Sequence, residues 1–592
     1  MNKELTDLES ALKKCRSSFI AIGGFSMFIN MLMLVPAFYM LQVYDRVVTS
    51  GSIPTLIMLT LVMLLLMSTM GALEWVRSRI MVRVSTRLDT MLSDRLFNAS
   101  FKQALYSGGA VTNAQPLSDL TGLRQFLTGA GLFAFFDAPW VPIYIGIMFM
   151  FHPWFGVMAI ISVVFLSLIA LINEKTTRPL LDEANKENMG ASQFVSKNLR
   201  NAEIVESMGM LGDIRSRWQS KSSKVLSLQG SASDRAGILQ SISKTSRLIV
   251  QSLVLGLGAY LVILQELSPG LMIAGSILLG RALGPIDQMI GVWKQFVSAR
   301  SQYKRLNELL EKVPEDAERM SLPVPKGNIS AEAAIVGAPG TRTPIIKGVS
   351  FQIKAGDTVG IIGPSASGKS TLARAILGIW PTLSGKVRLD GADVFQWKRD
   401  ELGPHIGYLP QDIELFEGTI SENIARFGEV DPDKVVAAAR MSGVHEMILT
   451  LPEGYDTQIA VSGGGLSGGQ RQRIGLARAL YDTPKLVILD EPNSNLDDQG
   501  EQALASAIQQ LKASGSTIIV ITHRSQILAQ VDMVMMLADG AVKMFGPRDQ
   551  VLKELAQSRM ASAGKPPVKA NAEPTTSAIS KPQIVPVNKG QN

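Results

Sequence analysis

The chain has almost no cysteine: Cys15 is the single one in 592 residues. That excludes an internal disulfide framework and any cysteine-built zinc cluster. Cys15 lies just ahead of the first apolar run, where no folded domain is expected around it, so it reads as an ordinary cysteine rather than a nucleophile. Histidine is nearly as scarce, with four. Repeats of the solenoid type are missing. No small-residue cleavage site follows the first apolar run, and that run is too long for a signal-peptide core, so it is expected to remain as an anchor.

What is present is apolar. The hydrophobic fraction is 46% and the mean hydropathy is +0.19, both high for a wholly soluble chain. Six runs carry it, at 19–43, 53–73, 132–151, 154–171, 248–264 and 271–292. Each approaches the twenty or so residues that a helix needs to cross a bilayer. The connections alternate. Three short ones, at 44–52, 152–153 and 265–270, carry one basic residue, Arg46. The two long ones, at 74–131 and 172–247, carry seven and twelve Lys and Arg, and the segment before residue 19 carries four. The positive-inside rule therefore places both termini and both long connections in the cytoplasm. It also accounts for the net charge of +7 without a nucleic-acid partner.

The long connections hold many helix formers and little Gly or Pro over 77–101 and 174–224, so they read as helices continuing into the cytoplasm. The last span runs on over 293–310 in the same way. Asp137, Arg281 and Asp287 sit in or beside spans. They read equally as the lining of a substrate path or as helix-end residues reaching for water. The abundant Met of the spans reads as packing. Residues 1–18 form a cytosolic amino-terminal segment, 19–313 the membrane domain, 314–326 a linker and 327–558 a second domain. The Pro-, Ala-, Lys- and Ser-rich tail at 559–592 reads as disordered.

From about residue 328 short β-rich runs alternate with helices, which predicts an α/β domain with a largely parallel sheet. The run 357–362 is a buried strand. It leads into Gly363-Pro364-Ser365-Ala366-Ser367-Gly368-Lys369-Ser370, and Thr371 follows on a helix. That is a phosphate-binding loop between strand and helix. Its glycines let backbone N–H groups approach phosphate oxygens, Lys369 neutralises the β- and γ-phosphates of ATP, and Ser370 supplies a Mg²⁺ ligand. A second buried strand, 486–489, ends in Asp490-Glu491. Asp490 suits Mg²⁺ through water, and Glu491 suits orientation and deprotonation of an attacking water. The segment Leu466-Ser467-Gly468-Gly469-Gln470, followed by Arg471-Gln472-Arg473, presents a hydroxyl and backbone donors at the positive end of a helix, which suits a γ-phosphate.

That five-residue segment resembles the signature of ATP-binding cassette proteins, and the rest of their set follows in order. Gln411, in Tyr408-Leu409-Pro410-Gln411, matches the glutamine that reaches Mg²⁺ and links nucleotide to membrane domain. Ser494-Asn495-Leu496-Asp497 matches the loop after the catalytic Glu, and His523 matches the histidine that senses the γ-phosphate. The resemblance implies a membrane α-helical six-span domain plus a cytosolic α/β P-loop nucleotide-binding domain. It further implies a homodimer in which each ATP lies between one chain's phosphate loop and the other's signature. One complete set of motifs per chain would give that dimer two competent sites.

Two departures stand out. Where many cassettes stack an aromatic ring on adenine, this chain reads Ile335-Val336-Gly337-Ala338-Pro339-Gly340, so adenine is expected to pack on apolar contacts near Ile345. Where exporters often carry a Glu before the signature, the stretch 460–465 holds none.

Finer features resemble the protease, lipase and haemophore exporters of bacterial type I secretion: Phe136-Asp137-Ala138-Pro139-Trp140, the run from Ser276 to Asp287, and Asp490-Glu491-Pro492-Asn493-Ser494-Asn495-Leu496-Asp497. That resemblance implies an inner-membrane ATPase that exports unfolded polypeptides with carboxyl-terminal signals. Its implied partners are a periplasmic adaptor (membrane fusion) protein, an outer-membrane channel of the TolC type and the lipid bilayer. With 18 residues before the first span, the peptidase-like domain of some relatives is not expected. Two other readings fit the same architecture: a lipid or drug exporter, and a regulatory or scaffolding cassette protein. The complete catalytic set argues against the latter.

Overall fold

The computed structural model describes residues 6–108, 114–315, 321–460 and 465–563. They divide into two compact units, Met1–Ala317 and Glu318–Asn592. Six helices of the first unit are long and apolar enough to cross a membrane: Arg16–Val48, Ile53–Tyr106, Gly131–Phe151, Pro153–Leu199, Leu211–Ile263 and Pro269–Lys312. The chain is thus a multi-pass membrane protein. At 1.5 Å per residue the 54 residues of Ile53–Tyr106 span about 80 Å, well over twice the hydrocarbon core, so most of that length lies outside it.

The three short connections close alike. Ser52, His152 and Ser268 each cap the next helix through a side chain, and a Pro stands in that helix's first turn. The capping side chain takes up an otherwise orphaned N–H, and Pro has none to lose there. Inside the bundle the last helix is the most central, with half of its apolar window buried, whereas the window of Ile53–Tyr106 is wholly unburied.

Two expectations need correction and one is refined. The first span stands as the apolar stretch Arg16–Val48, but it is not one uniform helix. It runs as Arg16–Leu32 and Val35–Gln42 and then widens to a π-helix, Val43–Val48. The break precedes Pro36, which has no N–H to give the previous turn. The stretch 174–224 is interrupted, since the helix ends at Leu199 and a short helix, Ala202–Ser207, precedes the next start at Leu211. Cys15 is not in a bare leader. The capped helix Asp7–Lys14 folds back, and Leu8, Ala11 and Cys15 pack with Val84, Leu88 and Leu92, while Asp7 pairs with Arg95 at 2.7 Å.

The second unit has two main sheets. One runs, in order, Ala541–Pro547, Met533–Ala538, Thr358–Ile362, Thr517–Ile521, Leu486–Asp490 and Ile406–Leu409, all parallel except the first. Its central strands are buried throughout, as a sheet covered on both faces requires. The register aligns Ile361 with Ile521, Ile521 with Asp490, and Leu409 with Leu489. Four strands therefore end at one edge. The other sheet is antiparallel: Pro344–Ile353, Ile329–Gly337, Ser384–Leu389 and Ala392–Asp393. The sequence does not mark this sheet off from the parallel one, because its strands carry bulges that blur the alternation of burial. A final helix, Arg548–Ala563, runs into the stretch read as a tail; residues 564–592 lie outside the described residues.

Candidate functional site

The common strand edge assembles the site. Open α/β sheets bind ligands beyond the carboxyl ends of their strands. Here Thr358–Ile362 leads into the phosphate loop, Leu486–Asp490 into Glu491, Thr517–Ile521 into His523, and Ile406–Leu409 into Gln411.

The loop's backbone depends on glycine at two positions. Gly363 has φ +155° and a Cβ there would strike the Leu537 carbonyl. Gly368 has φ +99° and meets Ile345 and Ile346, so Ile345 does lie against the phosphate loop. The helix Lys369–Ile376 starts immediately after. Its first bond back to the turn is from Leu372 N to Gly368 O, at 2.9 Å. The N–H groups of Lys369, Ser370 and Thr371 therefore have no partner within the helix, which makes this end an anion site. Pro364, Ser365 and Ala366 are exposed, while Ser367 is buried and its Oγ has no hydrogen-bond partner. Lys369 Nζ donates to the carbonyls of Gly363 and Pro364, both at 2.9 Å, which holds the ammonium across the loop. Burial pulls its pKa below the ordinary lysine value, against the opposing pull of Glu491 and Asp490.

Asp490 is buried, and one oxygen, Oδ1, has no hydrogen-bond partner. Burial raises its pKa, a hydrogen bond from Ser370 opposes the rise, and the Glu491 charge adds to it. A buried carboxylate with an unused oxygen beside a serine hydroxyl fits a cation. Glu491 has φ +48°, an unusual backbone state for a residue with a Cβ, held by a bond from its own N–H to Ile521 O at 2.9 Å. Its carboxylate accepts from Gln411 Nε2 at 3.1 Å. His523 is exposed and shares a cavity of about 450 Å³ with Gly363 and Pro364.

The signature residues are elsewhere. Ser467 and Gln470 form a capping box at the start of the helix Gly468–Leu480: Ser467 N donates to Gln470 Oε1 at 2.8 Å, and Gln470 N to Ser467 Oγ at 3.2 Å. Gly468 and Gly469 lie against Asn495. Among the described residues, no hydrogen bond or ion pair joins Ser467, Gly468, Gly469 or Gln470 to the phosphate loop. Sequence reasoning assigned no role to Gln472, which ties the two motifs together. It is fully buried, donates to Pro492 O and accepts from Asn495 N at 2.9 Å, while Arg473 pairs with Asp497. A polar side chain at an apolar helix position was the only signal of it. The stretch before the signature, 461–464, lies outside the described residues.

In the membrane unit Asp137 accepts from Arg77 at 3.1 Å and from Asn30 at 2.8 Å, and Asp287 accepts from Arg247 at 3.2 Å and from Ser243 at 3.0 Å. The sequence pointed to both carboxylates but not to their arginines.

Comparison with known proteins agrees with this geometry. Residues 346–494 match the ABC transporter family and residues 19–285 the ABC transporter transmembrane region. A type I secretion system ATP-binding protein, PrsD of Rhizobium meliloti (strain 1021), is 46% identical over 550 residues, covering 93% of this chain and 94% of that one. A leukotoxin translocation ATP-binding protein of Bibersteinia trehalosi, LktB, and an exotoxin translocation ATP-binding protein of Pasteurella aerogenes, PaxB, are each 28% identical, covering 92% of this chain and 77% of theirs. The fold is also that of a bacterial Atm1-family ABC exporter with ATP bound, with a TM-score of 0.80 over 94% of this chain and 99% of that one at 22% identity. The chain belongs to the ABC transporter family and, within it, to the type I secretion ATP-binding proteins, ATPases coupled to export.

Proposed function

We propose that the chain is the ATP-hydrolysing component of a type I secretion system in the bacterial inner membrane, with both termini cytoplasmic. It works as a homodimer with a periplasmic adaptor and an outer-membrane channel of the TolC type, and exports unfolded polypeptides with carboxyl-terminal signals. The convergence of the phosphate loop, Asp490, Glu491, Gln411 and His523 at one sheet edge carries the ATPase reading. The full-length likeness to a type I secretion protein supports the secretion reading.

In this reading the N–H groups of the loop and of the first helical turn, from Gly363 through Thr371, hold the β- and γ-phosphates, with Lys369 balancing their charge. Ser370, Asp490 and Gln411 would hold Mg²⁺, which when bound offsets charge on the phosphate oxygens. Glu491, oriented by Gln411, takes a proton from water as its oxygen attacks the γ-phosphorus. The bond to the β–γ bridging oxygen breaks, and ADP and phosphate result. His523 contacts the γ-phosphate. Ser467, Gly468, Gly469 and Gln470 face the ATP held by the second copy. Binding closes the cassettes, hydrolysis resets them, and the long helices carry the motion to the membrane.

A reporter carrying a candidate carboxyl-terminal signal tests the export step. Cells holding this chain, an adaptor and a channel secrete it, whereas the Glu491→Gln variant does not. Equal secretion by the two, or secretion without the adaptor, contradicts the proposal.

A further inference from the structure

We infer that a polar cavity in the membrane unit binds carboxylate groups of the polypeptide in transit, with Arg281 as the residue that recognises them. This rests on the polypeptide-export reading. The cavity has a volume of about 390 Å³, within the range of pockets that hold small ligands, and its wall includes Arg281, Asn30, Gln251, Gln288 and Asp137. Arg281 stands twelve residues into the helix Pro269–Lys312, about 18 Å along its axis from the short connection, and so deep in the span.

A cation at that depth is expected to have an anion. The two nearby carboxylates are already engaged. Asp137 takes Arg77 and Asn30, and Asp287 takes Arg247 and Ser243. Among the described residues Arg281 has no ion pair and no hydrogen bond, so after these pairings the cavity keeps one positive charge.

The rest of the wall suits an extended chain. Pro285 has no N–H, so the Arg281 carbonyl four residues earlier lacks its helical donor and can accept from a passing amide. A Cβ at Gly284 would meet nothing within 4 Å, so the wall there is open. The amide of Gln288 can both donate and accept, and Gln251, whose Nε2 donates to Ser276 O at 3.4 Å, keeps its Oε1 as an acceptor, whereas Asn30 is taken up by Ser26, Asp137 and Tyr144. The combination reads peptide backbone generally and carboxylate specifically. Acidic side chains and a terminal carboxylate share that chemistry.

The test uses the full chain in phosphatidylcholine nanodiscs. The probes are unstructured Gly/Ser peptides bearing several Glu, compared with Gln-substituted and carboxyl-amidated versions, and anisotropy reports binding. The wild type should bind the Glu peptide about tenfold more tightly than one that is both Gln-substituted and amidated, the effect of one charge-assisted contact. The singly altered peptides identify the source of the carboxylate. Arg281→Gln should remove the preference, Arg281→Lys should keep part of it, and Gly284→Leu should weaken every peptide alike. Equal binding of charged and neutral peptides by the wild type overturns the inference while leaving polypeptide export intact, and needs no variant to fold. Binding of no peptide, with ATPase stimulated by added phosphatidylglycerol, overturns both and identifies a lipid headgroup as the ligand.

Discussion

The nucleotide edge and the charged positions of the membrane spans differ in how their polar groups are partnered. At the nucleotide edge two buried side-chain atoms, Asp490 Oδ1 and Ser367 Oγ, have no hydrogen-bond partner, beside the helix start at Lys369. In the membrane unit the buried Arg77 and Asp137 pair with each other, and the half-buried Arg247 and Asp287 do the same. An unsatisfied group beside a phosphate loop can take a ligand, and an ion pair between two helices can join them. Beside the phosphate loop the unpartnered atoms fit a ligand's chemistry, whereas in the membrane unit Arg281 is the charge left over once its neighbours have paired.

The sharpest break of that contrast comes from Lys369→Ala. It should cost at least about 100-fold in ATP affinity and turnover, because a charge aimed at phosphate in a low-dielectric site has no substitute. Glu491→Gln should lower turnover by about 100- to 10,000-fold while ATP binding stays within about twofold. Radiolabelled ATP binding beside phosphate release separates these outcomes.

These two sites were legible in the sequence because phosphate chemistry is local. Eight consecutive residues carry the loop, and a strand ending in Asp490-Glu491 carries the rest. The register that brings Gln411 and His523 to the same edge is long-range, and in the sequence these two residues stand out only through the resemblance to ATP-binding cassette proteins. Gln472 was not legible, since its partners at Pro492 and Asn495 lie some twenty residues on and meet it only in the fold. Asp137 was legible as a charged residue in a span, but its partners Asn30 and Arg77 were not, since they come from two other helices. The break in the first span and the antiparallel sheet escaped because Pro36 and the bulges act on packing that hydropathy does not report.

If the membrane pairs are joints, Arg77→Ala should destabilise the purified protein by about 3–5 kcal/mol, since it strands Asp137. Arg77→Gln with Asp137→Asn should cost less than the two single changes together, as thermal unfolding would show. Additive losses would mean that the residues do not act as a pair. Gln472→Leu should cost about 1–3 kcal/mol by leaving Asn495 N without its acceptor, and should lower turnover more than ATP affinity.

The smallest effect is pH dependence. Asp490 has a raised pKa, so on acidification it takes up a proton earlier than an ordinary aspartate, and Mg²⁺-dependent ATP affinity should fall from that side. Lys369 has a lowered pKa, so on the alkaline side it loses its charge earlier than an ordinary lysine, and affinity should fall again. Asp490→Asn should flatten the acid limb alone.

The most direct test concerns the separation of phosphate loop and signature. Lys369→Ala spoils one and Ser467→Arg the other, so a homodimer of either variant has no intact site. If two copies share each site, a mixed dimer has one intact phosphate loop facing one intact signature, and hydrolysis should return when the variants are co-assembled. If each chain completes its own site, a mixed dimer verified by differential tags would remain as inactive as its parents.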